Sequence, residues 1–262
     1  MKRRKKRKLK KKVLRTLLTT GIITLISFGF IQNQLARQPV VAQNVKKDIK
    51  MDHILANETL YPSALVELAL TKPETRTFVY NYLEKKDLPK KDLTLKNYTK
   101  GTFPLFIQWD ERWGYDQYGD NYMAINGCGP TTLAMAIVGL TGNTDVNPKM
   151  VADFSVQNGY YVNNVGTSWT LMSEGAQAFG LNSKEVPLSE SKILSLLREG
   201  QPIIASMGPG TFTASGHFIL LTGITEDNKI IVNDSDSKVR SEMTWDIDVF
   251  MKETKNLWTF YI

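Results

Sequence analysis

Up to about Gly200 the apolar residues of this chain recur at helical spacing, and beyond it they gather into short β-rich runs: PIIASM, HFILLTGI, KIIVND and the closing NLWTFYI. Helices that come first, rather than alternating with strands, argue against a parallel βαβ sheet. The order predicts an α+β fold with an antiparallel sheet. In the helical half, residues 128–140 (CGPTTLAMAIVGL) read as a buried helix, apolar nearly all round and with Pro130 in its first turn. Residues 169–179, after a Gly-Thr-Ser turn, and residues 189–198 read as two more. Earlier in the chain, Pro62 in YPSALVELAL and Pro73 in KPETRTFVYNYLEKK stand where a helix start tolerates proline. Leu65, Leu68, Val79, Tyr82 and Leu83 keep helical spacing there.

Three segments follow from this reading. Residues 1–42 are an export signal or membrane anchor: the first fifteen hold 11 of the 33 Lys and Arg, and Thr16 to Ile31 is sixteen residues without a charge. As a helix that run would span roughly 24 Å against a bilayer core of about 30 Å, so its length alone does not separate a cleaved signal from an anchor. A small-residue site for cleavage stands at Val40-Val41-Ala42. Residues 43–102 are a helical preface and charged linker, with a polar tail at 43–52 and a Lys-rich connector at 84–102. Residues 103–262 have the size of one domain. The positive-inside tendency leaves the basic block in the cytoplasm and exports the rest, released or anchored.

Composition narrows the chemistry. Without the first fifteen residues, 22 bases face 26 acids, so the net charge of +7 is no nucleic-acid footprint. One cysteine, Cys128, forbids an internal disulfide, and two histidines, His53 and His217, make the usual zinc sites unexpected. No metal or organic cofactor is expected. Cys128 lies in Asn126-Gly127-Cys128-Gly129-Pro130, at a helix amino terminus whose free N–H groups favour a thiolate; otherwise it is a small core residue. His217 follows the glycine-rich MGPGTFTASG and opens an apolar run, placed either as a general base or as a structural histidine. Asp234 ends the next strand. An even loop centred on Asp227-Asn228 would set it opposite Leu221, on the sheet face of His217; an odd loop would separate them. Gln108 in FIQWDERWG carries an amide that can stabilise an oxyanion. Gly127, Gly129, Trp109 and Gly216 are the candidate substrate-binding residues, the glycines because they admit a close backbone approach. His53, in the polar tail, receives no role. The order Gln, Cys, His, Asp supplies what acyl transfer through a thioester needs.

These stretches resemble the papain-fold cysteine peptidases of the bacteriocin-leader-processing (double-glycine leader) type, in their stand-alone, exported Gram-positive branch. The resemblance covers residues 103–236. It rests on Gln108-Trp109-Asp110-Glu111-Arg112-Trp113-Gly114, on Gly127-Cys128-Gly129-Pro130-Thr131-Thr132-Leu133-Ala134-Met135, on Gly216-His217-Phe218 and on Val232-Asn233-Asp234. It implies a helical subdomain carrying the Cys and a sheet carrying the His and Asp. It also implies Cys128 as nucleophile, His217 as base, Asp234 as orienting acid and Gln108 as oxyanion donor. Where that family reads Asp-Pro this chain has Asp234-Ser235, which leaves Asp236 as a substitute for Asp234. The expected protein is an extracytoplasmic, monomeric cysteine peptidase acting on a peptide or protein, without nucleic acid and with amino-terminal membrane association. A chain with no transporter segment is not expected to cleave a leader during export. Two rivals use the same residues otherwise: an acyl transferase or cell-wall amidase, and a non-catalytic surface module binding peptide or glycan.

Overall fold

The computed structural model describes residues 48–88, 93, 95 and 98–262. The export segment at 1–42, its cleavage site at Val40-Val41-Ala42 and part of the connector lie outside the described residues. Among the described residues no helix is long and apolar enough to cross a membrane.

Residues 48–262 form one compact unit. It opens with α1 (Ile49–Ala56), α2 (Ser63–Thr71), α3 (Arg76–Tyr80) and α4 (Tyr82–Lys85). The first of these corrects the expectation of a polar tail at 43–52. Asp48 accepts a hydrogen bond from the Met51 amide at 3.1 Å and caps the helix, and Met51 and Ile54 bury one face. His53 therefore sits on a helix, its ring edge-on to Tyr80 at 4.9 Å. Leu65, Phe78 and Val79 of the preface share one apolar cluster with Ile107, Trp109, Tyr115 and Ala124.

A short hairpin, β1 (Gln117–Tyr118) and β2 (Asn121–Tyr122), leads into α5 (Met123–Asn126) and the buried α6 (Cys128–Thr141). Gly142, at φ +74°, closes α6 in the left-handed conformation that glycine adopts without strain. Helix α7 (Pro148–Gln157) was not anticipated by the pattern. Its start is nonetheless written locally: Asn147 accepts from the Met150 amide at 3.1 Å and Pro148 takes the first turn. A second hairpin, β3 (Tyr161–Val162) and β4 (Gly166–Thr167), precedes α8 (Thr170–Ser173), a 3-10 turn at Gly175–Phe179, β5 (Asn182–Glu185) and α9 (Glu190–Arg198).

Five further strands follow: β6 (Ile203–Met207), β7 (His217–Ile224), β8 (Ile230–Asp234), β9 (Thr244–Trp245) and β10 (Thr254–Tyr261), interrupted by α10 (Lys238–Ser241) and α11 (Ile247–Glu253). With β5 they make an antiparallel sheet in the order β5-β10-β6-β7-β8-β9. Alternation sorts its side chains. Ile204, Phe218, Leu220, Trp258 and Phe260 join the cluster around α6, and Ile203, Ala205, Ile219, Leu221 and Val232 join the one around α9 and α11. Both faces are buried, which is why β6 has no exposed residue. The mixed helix and antiparallel sheet is the α+β, papain-like class expected.

Candidate active site

Cys128 is the first residue of α6, where first-turn amides lack acceptors within the helix. Thr132, one turn on, donates through its hydroxyl to the Phe218 carbonyl at 3.0 Å and ties that helix end to β7 just beyond His217. Gly127 and Gly129 are buried and serve the packing rather than the cleft. A Cβ on Gly127 would stand 2.4 Å from the Met123 carbonyl oxygen, and one on Gly129 would stand 2.4 Å from the Thr167 hydroxyl. Behind Cys128, the hydroxyl of Tyr118 bridges Thr167 and Ser155 at 2.8 Å each. None of these three residues carries a local sequence signal.

His217 opens β7 and is buried. Its Nε2 lies 2.7 Å from Asp234 Oδ1, which leaves Nδ1 for the thiol. The hairpin that brings the two together is not the one expected. The Thr225 amide donates to the Lys229 carbonyl at 2.9 Å, so the loop is odd, Glu226-Asp227-Asn228, with Asn228 at φ +62°. The extra residue is compensated on β7. Leu221 pairs with Val232 and Gly223 with Ile231, so Thr222 forms a bulge. The bulge restores the alternation and sets Asp234 opposite Ile219, not Leu221, on the face of His217.

Asp234 is wholly buried and accepts from three donors. Besides His217, the Asp236 amide reaches Oδ1 at 2.8 Å and the Arg240 Nε reaches Oδ2 at 2.6 Å. Asp236 does not substitute for it: its own carboxylate pairs with Lys72 and lies 3.5 Å from the Arg240 guanidinium. Burial pulls His217 towards neutrality, but the charge and hydrogen bond of Asp234, with the Cys128 contact added, win and hold its pKa up at about 10. Burial works against the Asp234 carboxylate as well, yet His217 and Arg240 pull its pKa below the ordinary value.

Gln108 lies on the wall of the cleft, but its amide is engaged. Nε2 donates to the Ala124 and Ile125 carbonyls at 2.9 and 3.2 Å, and its backbone amide donates to the Ser235 carbonyl at 2.7 Å. Trp109 is not a groove wall. It is buried in the cluster with the preface, and its indole N–H donates to the Asp236 carbonyl at 3.1 Å, an order forced by the core that α2 and α3 bring. Gly216 does line the cleft, with nothing within 4 Å of where a Cβ would be.

The cleft over Cys128 and His217 has a volume of about 510 Å³. The 210–216 loop bounds it, as do Gln108, Asp236 and Arg240. So do Leu68, Thr71 and Lys72 from the preface, residues no sequence pattern connects to Cys128. Among the described residues no group of three or more His, Cys, Asp or Glu could hold a metal ion.

The model of the Peptidase_C39 like family matches residues 100–261. Among solved structures, the chain is similar to the peptidase domain of ComA from Streptococcus, described as a bi-functional ABC transporter involved in a quorum sensing pathway. The two share 20% identity over 52% of this chain and 90% of that one, with a TM-score of 0.39. No curated protein matches the chain. The family match spans well over half of the sequence and includes Cys128, His217 and Asp234. The chain belongs to the Peptidase_C39 like family and, with it, to the cysteine peptidases.

Proposed function

We propose that the protein is an exported cysteine peptidase that cleaves a peptide or protein substrate through a thioester, with Cys128 as nucleophile, His217 as acid and base, and Asp234 as the carboxylate that orients His217. The 2.7 Å contact between His217 Nε2 and a buried, fully hydrogen-bonded Asp234 carries this reading. It fixes the ring with its other nitrogen towards Cys128 and favours the imidazolium that a thiolate needs beside it. The Cys128 sulfur attacks the carbonyl carbon, and His217 delivers its proton to the departing amine. His217 then takes a proton from the water that opens the thioester and returns it to the sulfur. First-turn amides of α6 face the developing oxyanion. Gln108 joins them by giving up one of its two carbonyl contacts. The exported location is supported by the basic block and uncharged run of residues 1–31.

Incubation of the chain with a mixed peptide library, followed by mass spectrometry, tests the reading. Cys128→Ala abolishes product formation while the fold, read by circular dichroism, is kept. Asp234→Asn lowers the rate by orders of magnitude. Products from Cys128→Ala at the unsubstituted rate would refute the role of the thiol. A new amide formed with an added amine, in place of hydrolysis, would assign a transferase.

A further inference from the structure

The helical preface could be a detachable inhibitor of the site or a part of it, and its contacts decide between these. Leu68, Thr71 and Lys72 at the end of α2 bound the same cavity as Cys128 and His217. Immediately after them the preface is anchored to the residues that follow Asp234. Lys72 pairs with Asp236, and Glu74 accepts from the Ser237 hydroxyl at 2.5 Å and from the Lys238 amide at 2.9 Å. Asp236 is buried, so removing Lys72 would strip a buried carboxylate of its closest cation. The rest of the preface is core. Leu65, Ala69 and Val79 are fully enclosed, Phe78 stacks on Tyr115 at 4.3 Å, and the Tyr115 hydroxyl donates to the Phe78 carbonyl at 2.7 Å. A segment that leaves on activation would expose Trp109, Tyr115 and Ile107 together.

We propose that residues 48–88 are a permanent wall of the substrate cleft, and that Thr71 and Lys72 meet the peptide beside its scissile bond and help to select it. This rests on the cysteine peptidase reading. Thr71 is exposed, its hydroxyl turned back to the Glu67 carbonyl at 2.8 Å, so bulk added there enters the cleft without disturbing the core. Lys72, one third exposed and paired with Asp236, presents its side chain to the same rim.

The ratio of two alkylation rates on the full chain tests the wall. Acetylated tetra-alanine chloromethyl ketone and iodoacetamide each form a thioether with Cys128 and release halide. Both need the thiolate, but only the peptide needs the cleft. Thr71→Trp lowers the peptide-to-iodoacetamide ratio about tenfold or more. Leu70→Trp, which adds bulk to the same helix at an exposed position outside the cavity lining, keeps the ratio of the unsubstituted chain. A ratio unmoved in Thr71→Trp, or lowered equally in both variants, overturns the wall. So does a cut within 89–97 that releases residues 48–88 and leaves Cys128 more reactive to the peptide. An unsubstituted chain that reacts with neither reagent overturns the peptidase reading beneath it.

Discussion

The charge on Asp234 is shared three ways, and this sets how His217 behaves. A carboxylate with no exposure would be costly alone, but here His217, Arg240 and the Asp236 amide all donate to it. Arg240 sits one turn from Ser237, whose hydroxyl caps α10 by accepting the Arg240 amide at 3.1 Å. A short helix thus delivers the guanidinium. The pairing makes stability depend on pH in a stated direction. The pKa of His217 is raised in the folded state from 6.5 to about 10. The stability it contributes is therefore fully present below about pH 6.5 and is lost as pH rises through about 10. Asp234, lowered, contributes above its ordinary value of 3.8 and loses that contribution as pH falls through the lower folded value. His217→Gln should accordingly cost more stability at pH 6 than at pH 10, by on the order of a few kcal/mol, in urea titrations at the two pH values. An equal cost at both would mean that the imidazolium is not the form the fold holds.

At the scale of the element, the β7–β8 hairpin decides whether an acid meets the histidine at all. Sequence alone gives the two strands and their ends, because β-branched runs and a polar loop are local signals. It does not give the bulge: Thr222 looks like any strand threonine, and the bulge only matters as the compensation for an odd loop. The alternation rule therefore reaches the correct face through a wrong register. Deleting Thr222 should remove the bulge and keep each cross-strand pair, so that Asp234 stays opposite Ile219 and the thiol keeps its dependence on Asp234, read as the fall in iodoacetamide alkylation rate on Asp234→Asn. Loss of that dependence in the folded deletion variant would show that Leu221 and Val232 are not paired. Helix α7 is the contrasting case: its Asn147-Pro148 start is written locally, but its apolar residues Met150, Val151, Ala152, Phe154 and Val156 do not form one stripe, Met150 and Val156 being exposed, so no helical period stands out.

Over the whole molecule, the residues near Cys128 come from parts of the chain that carry no mutual signal. Cys128 and His217 are marked by neighbouring glycines and by the helix and the strand that they open. Lys72 and Asp236 are paired across 164 positions, and Arg240 lies in a short helix with only buried partners to explain it. Such contacts are products of the tertiary fold, which packs the preface into one core with the domain behind the site. Phe78→Ala should therefore destabilise the entire described unit by about 3–5 kcal/mol in a single transition. A separate early transition of the preface in calorimetry would show two bodies instead.

The central claim is that Cys128 is activated by His217, and the rate of Cys128 alkylation by iodoacetamide as a function of pH tests it without any substrate. The account predicts that the parent chain still reacts at pH 6, where a free cysteine of pKa about 8.5 is almost wholly protonated, and that folded His217→Ala reacts there about tenfold or more slowly. A thiol that is inert at pH 6, or equally reactive in both folded proteins, would contradict it.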